Sequence, residues 1–180
     1  MKRVLSLLFA LVFVVAAFPV TVASAADVIE ISDAAQLAAI GTNDNYPLSG
    51  SYKLTKSISL SGYDNWTPIG NGSAFSGTFE GNGKTISGLK VNASGTYAGL
   101  FGQVSGTVKN LTVTGSVTLN NTSSSATSVY AGILAGNVSG WLATIDSCST
   151  SGDVTVTSNC TASFAITSAN VYAGGVIGNS

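Results

Sequence analysis

The chain has 180 residues, charged side chains at only 8% of positions and no histidine, so it lacks the commonest acid–base residue and metal ligand. From residue 26 onward five lysines stand against eight acids, and the resulting net charge of −3 gives no electrostatic reason to bind nucleic acid or anionic lipid. A Ser-His-Asp triad is excluded outright.

Residues 1–25 have the three parts of a secretory signal. Lys2 and Arg3 supply the positive start, Val4 to Phe18 form an apolar run broken only by Ser6, and Ala23-Ser24-Ala25 supply the small residues that a signal peptidase needs. Cleavage is expected before Ala26. The run is shorter than a bilayer span, so no membrane insertion is expected after cleavage, and the predicted location is extracellular, secreted or at the cell surface.

Residues 26–62 read as an N-terminal cap and first strands. Val28 to Ile31 alternates like a short strand, and Ser32 is placed as the N-cap of a helix over residues 33–40, with Gly41 ending it. The apolar face of that helix is Ala34, Leu37, Ala38 and Ile40. A helix this short is marginal alone, so it is expected to cover the open end of a stacked β core. Tyr52-Lys53-Leu54 and Ile58-Ser59-Leu60 are the next predicted strands.

Residues 63–180 carry internal repeats. Tyr-Ala-Gly followed by apolar residues and glycine occurs at Tyr97, Tyr130 and Tyr172. A second element begins at Thr85, Thr107 and Thr144, with offsets of 22 and 37 residues, and Gly115-Ser116-Val117 matches Gly152-Asp153-Val154 at the second offset. The longer repeat holds an extra loop at 120–128. Leu111 and Val113 alternate with Thr112 and Thr114, which is the period of a strand with one buried side, and Gly81-Asn82-Gly83 marks a corner that needs positive φ. The fold class expected is all-β, a right-handed parallel β-helix or solenoid with a short N-terminal capping helix.

The residues resemble the GLUG-motif repeat proteins of bacterial surfaces. The resemblance rests on Trp66-Thr67-Pro68-Ile69-Gly70, on the stretch from Phe75 to Leu89, and on Ala98-Gly99-Leu100-Phe101-Gly102. It departs mildly at Glu80, where the family commonly has Asp. The resemblance implies a non-catalytic repeat module of a secreted or cell-surface protein, acting in adhesion or as a spacer. The alternative it leaves open is the accessory region of a secreted peptidase or polysaccharide-degrading enzyme. In either case the repeats are read as truncated at the C-terminus, and in the alternative the catalytic domain lies beyond residue 180.

Candidate chemistry is sparse. No cofactor, metal or catalytic residue is assigned, because the eight acids are scattered and none is matched with a basic partner at repeat spacing. Asp64 with Asn65, or Glu80 with Asn82, fit Asx turns better than a calcium loop. Outward threonines such as Thr112, Thr118 and Thr155 suit strands and their solvation. The candidate ligand-binding residues are the aromatics Tyr97, Tyr130, Tyr172, Trp66 and Trp141, with host or cell-wall glycans or surface proteins as partners. The three tyrosines share one repeat position and are expected to stack as a column, with packing favoured over ligand contact. Export permits a Cys148–Cys160 disulfide; Cys148 also falls where the other repeat has Leu111, which equally suits a small buried hydrophobe.

Overall fold

A computed structural model describes residues 27–122, 128–158 and 170–180. Residues 1–26 and Cys160 lie outside the described residues, and with them the expectations of a signal peptide, its cleavage and the disulfide.

Among the described residues the regular structure, apart from one short helix, is strand, and every strand pairing is parallel. The seven-stranded sheet runs β1 (Val28–Ile31), β2 (Ser51–Leu54), β4 (Thr78–Ala93), β7 (Thr107–Asn121), β10 (Thr144–Asp146), with β3 (Ile58–Ser59) also on β4 and β11 (Ser149–Ser158) also on β7. Two three-stranded sheets complete the set. One joins β5 (Tyr97–Ala98), β8 (Val129–Gly132) and β12 (Val171–Gly174); the other joins β6 (Phe101–Val104), β9 (Ala135–Val138) and β13 (Ile177–Asn179).

Side-chain alternation decides which face is buried. Tyr52, Phe79 and Val108 stand at one register position in β2, β4 and β7, and all three are buried. Ile86 and Val113 form a second buried row, and Val91 and Val117 a third. A cluster of Tyr52, Phe75, Phe79 and Phe101, with ring centroids 5.3 to 6.1 Å apart, fills the space between the sheets. Each such Val, Ile, Leu or Phe contributes roughly 1.5 to 3 kcal/mol on leaving water.

The corner expected at Gly81-Asn82-Gly83 has positive φ at Asn82 (53°) and Gly83 (67°), and the corresponding turns of the next two strands have it at Asn110 (53°) and Ser147 (50°). This corner also corrects the repeat offset. Thr107 does not pair with Thr85; it pairs with Thr78, and Thr85 pairs with Thr112. Three corner residues in β4 face a single one in β7, so the ladder slips between Glu80 and Lys84, and the offset is 29 residues before the corner and 27 after it, not 22. The 37-residue offset holds at every pair from Thr144↔Thr107 to Ser158↔Asn121.

Helix α1 spans Ala34–Ala39, and Leu37 and Ile40 are buried in the core cluster. Its N-cap is Asp33, one residue later than expected: the Asp33 carboxylate accepts from Gln36 N–H at 2.8 Å. Ser32 instead donates its backbone N–H to the Gln36 side chain at 2.7 Å, so Gln36 ties the first turn to both Ser32 and Asp33. The C-cap is Ile40, one residue earlier than expected, and Gly41 follows it with φ of 81°.

Candidate functional site

The tyrosine column is present. Tyr97 pairs with Tyr130, and Tyr130 with Tyr172, as direct neighbours in parallel strands. Their rings stack at 5.4 Å and 16°, then at 4.9 Å and 7°. All three are half-buried, which lies between the packing and exposed alternatives. Stacking occupies both faces of Tyr130, so a ligand can meet that ring only at its edge.

The two tryptophans diverge. Trp66 is 2% exposed, and its indole N–H donates to the Leu100 carbonyl at 3.1 Å, so it is a core residue with a satisfied polar handle. Trp141 is fully exposed, and Leu142 beside it is 85% exposed. Their position follows from the register. Ser139 N–H donates to Val104 and Thr144 N–H to Gly106, so the turn that takes Ser105-Gly106 below has extra residues above, and these project.

An outward row escaped the sequence reading altogether. Glu30 pairs with Lys53, Lys53 with Glu80, Glu80 with Lys109, and Lys109 with Asp146. Three of the eight acids are therefore matched with lysines, and five strands present strictly alternating charge. At its centre Lys109 Nζ lies 3.5 Å from a Glu80 carboxylate oxygen. Burial pushes the Glu80 carboxyl up, but hydrogen bonds from Asn82 N–H and Asn110 Nδ2 and the Lys109 charge outweigh it and hold the group below its ordinary range. Asn82 N–H, Asn110 Nδ2 and Lys109 thus all converge on the one carboxylate.

Cys148 stands at the register position of Leu111, as the repeat matching expected, but it is half-buried where Leu111 is buried. Burial is the main cause that raises its thiol pKa, which leaves it a poor nucleophile. Thr112 and Ser149 hydroxyls lie 3.0 Å apart on neighbouring strands, in the way outward hydroxyls pair across a ladder.

A concavity of about 500 Å³ lies between the end of α1 and the loop over residues 65–73. Ile40, Leu48, Trp66 and Ile69 give it an apolar floor, while Thr67 and Asn71 stand on an exposed rim. Tyr63 sits edge-on to Trp66 at 5.4 Å and donates its hydroxyl to the Ala34 carbonyl at 3.4 Å. Among the described residues no three His, Cys, Asp or Glu side chains stand together as a metal site, and no helix is long and apolar enough to cross a membrane.

No protein-family model, curated protein or solved structure matches the chain.

Proposed function

We propose that this chain is a non-catalytic repeat module of an exported bacterial surface protein, folded as a right-handed parallel β-helix of the GLUG type with α1 over its N-terminal end. The observation that carries the reading is the in-register stacking of the three Tyr-Ala-Gly segments. Successive lengths of chain that pair in parallel at every level are what a helical coil requires, and parallel crossovers are almost always right-handed.

A surface role follows from the leader and from the outer face together. Outward positions carry many Thr, Ser and Asn residues, and five of the few charges alternate in sign along one row, which suits a long, weakly charged surface for adhesion or spacing. Host or cell-wall glycans and surface proteins are the partners such a face suits.

Export is tested by expressing the full chain in a bacterial host and sequencing the N-terminus of the released or surface-bound protein. Recovery outside the cytoplasm with Ala26 first supports the reading. Retention in the cytoplasm with the leader intact overturns it. Adhesion is separated from spacing by measuring binding of the exported protein to immobilised cell-wall and host glycans: retention indicates adhesion, and uniform absence of retention leaves spacing.

A further inference from the structure

The cleft between α1 and the 65–73 loop has a composition that the stacked sheets do not require. The chain places eight acids and five lysines after residue 26, yet no charged side chain lines this concavity. Its volume of about 500 Å³ falls in the range of small-molecule sites. Its floor is apolar, with the half-buried Tyr63 ring at one side, while its rim carries neutral hydroxyl and amide groups.

We infer that this cleft is a binding site for a neutral sugar, of mono- to disaccharide size. A pyranose offers one face of C–H groups and a periphery of hydroxyls, which matches an apolar floor under a rim of uncharged donors and acceptors. A charged sugar or an acidic peptide would find no counter-ion here, and burying its charge unpaired is costly. An extended peptide added as a strand needs a free sheet edge, and the cleft is walled by loop and helix rather than by an edge strand. An acyl chain would leave the rim groups without partners.

Two rim positions carry the polar recognition. Thr67 and Asn71 are exposed, and the part of Asn71 used by the fold is its backbone carbonyl, which accepts from the Gln103 side chain at 3.3 Å. Asn65 is committed elsewhere: its side-chain amide exchanges two hydrogen bonds with the Asn92 backbone, at 3.0 and 2.7 Å. Gly72 lines the cleft and is exposed, and a Cβ there meets nothing within 4 Å, so a larger side chain can be introduced at this rim without a clash at its Cβ. The source of the sugar rests on the surface-module reading; occupancy of the cleft does not, and it is measured on purified protein.

Trp66 is the natural reporter, since replacing the exposed Trp141 by Phe leaves it the sole tryptophan. The Trp141→Phe protein is titrated with cellobiose, maltose and N,N′-diacetylchitobiose while Trp66 emission is followed. The expected result is a saturable change with at least one of them. Gly72→Phe and Asn71→Ala, added separately, should each weaken it about tenfold or more, a loss of about 1.4 kcal/mol, with the melting temperature unchanged. No response to any of the three sugars overturns the proposal. So does a response that survives both substitutions, or equal binding of digalacturonate, which would show that the site does not select neutral ligands. If Gly72→Phe alone lowers the melting temperature, Asn71→Ala carries the test. An intracellular location would remove the surface reading while leaving these titrations as they are.

Discussion

Glu80 and Lys109 stand opposite each other on adjacent parallel strands, 3.5 Å apart, at the middle of a row in which charge alternates over five strands. An exposed pair contributes little by itself, about 1 kcal/mol or less. Its position matters more. Slipping one strand by a residue would turn every charge of that strand toward the core, so the row and the buried Tyr52-Phe79-Val108 row enforce the same register.

Glu80→Lys should therefore cost more than loss of one ion pair. It places three lysines side by side at residues 53, 80 and 109 and removes the acceptor of Asn82 N–H and Asn110 Nδ2. A loss of about 1 to 3 kcal/mol in urea unfolding is expected, becoming smaller at high salt. The same carboxylate gives an acid-side signature. Its folded pKa is depressed, so its contribution is present above the ordinary glutamate value and is lost as pH falls through the lower folded value. The stability gap between wild type and Glu80→Gln should close over that interval.

The tyrosine column has a centre and two ends. Tyr130 is sandwiched by Tyr97 and Tyr172, whereas each of those has one ring contact in the column. Thermal unfolding should show Tyr130→Ala destabilised more than Tyr97→Ala or Tyr172→Ala, by about 0.5 to 1.5 kcal/mol for the additional pair. Tyr130→Phe, which keeps both stacks, should stay close to wild type. Equal losses at all three positions would show that the stacking contributes nothing beyond burial.

Gly115 and Gly152 pair across β7 and β11, and both have φ in the region that favours glycine, 159° and 139°. A Cβ on Gly152 would overlap the Gly115 carbonyl, and one on Gly115 would overlap the Leu89 carbonyl. Gly115→Ala, below two neighbouring strands, is expected to cost upward of about 3 kcal/mol, enough to be read as a large drop in melting temperature. Gly62→Ala, where a side chain meets nothing within 4 Å, is the matched control and should change little.

Tyr52 supplies an alkaline test. Burial, with a smaller contribution from Tyr46, pushes its phenol up to about 12. A phenol that ionises at about 10 when unfolded then draws the protein toward the unfolded state as pH rises between the two values. Wild type should lose stability over that window more steeply than Tyr52→Phe in pH-dependent urea unfolding. Parallel curves would contradict the burial of this hydroxyl.

Legibility differed between local and long-range features. Strand alternation, the Asn82-Gly83 corner, the short helix with its buried Leu37 and Ile40, and the shared position of Tyr97, Tyr130 and Tyr172 all follow from local pattern. The charge row does not, because its members are separated by 23, 27, 29 and 37 residues, and no fixed period finds them. The burial of Trp66, one of the candidate ligand-binding aromatics, is not legible locally for a related reason. Its burial depends on Leu100, 34 residues away, accepting its indole N–H. The cleft joins the end of α1 to residues 65–73, and nothing in either segment announces the other.

The account stands on the three Tyr-Ala-Gly segments being neighbours in register, and a nuclear Overhauser experiment on protein with labelled tyrosine rings tests this most directly. Each ring is assigned by its Tyr→Phe variant. The predicted result is ring-to-ring contact between Tyr97 and Tyr130 and between Tyr130 and Tyr172, and none between Tyr97 and Tyr172. Absence of both contacts in a folded sample would contradict the stacked arrangement and everything built on it.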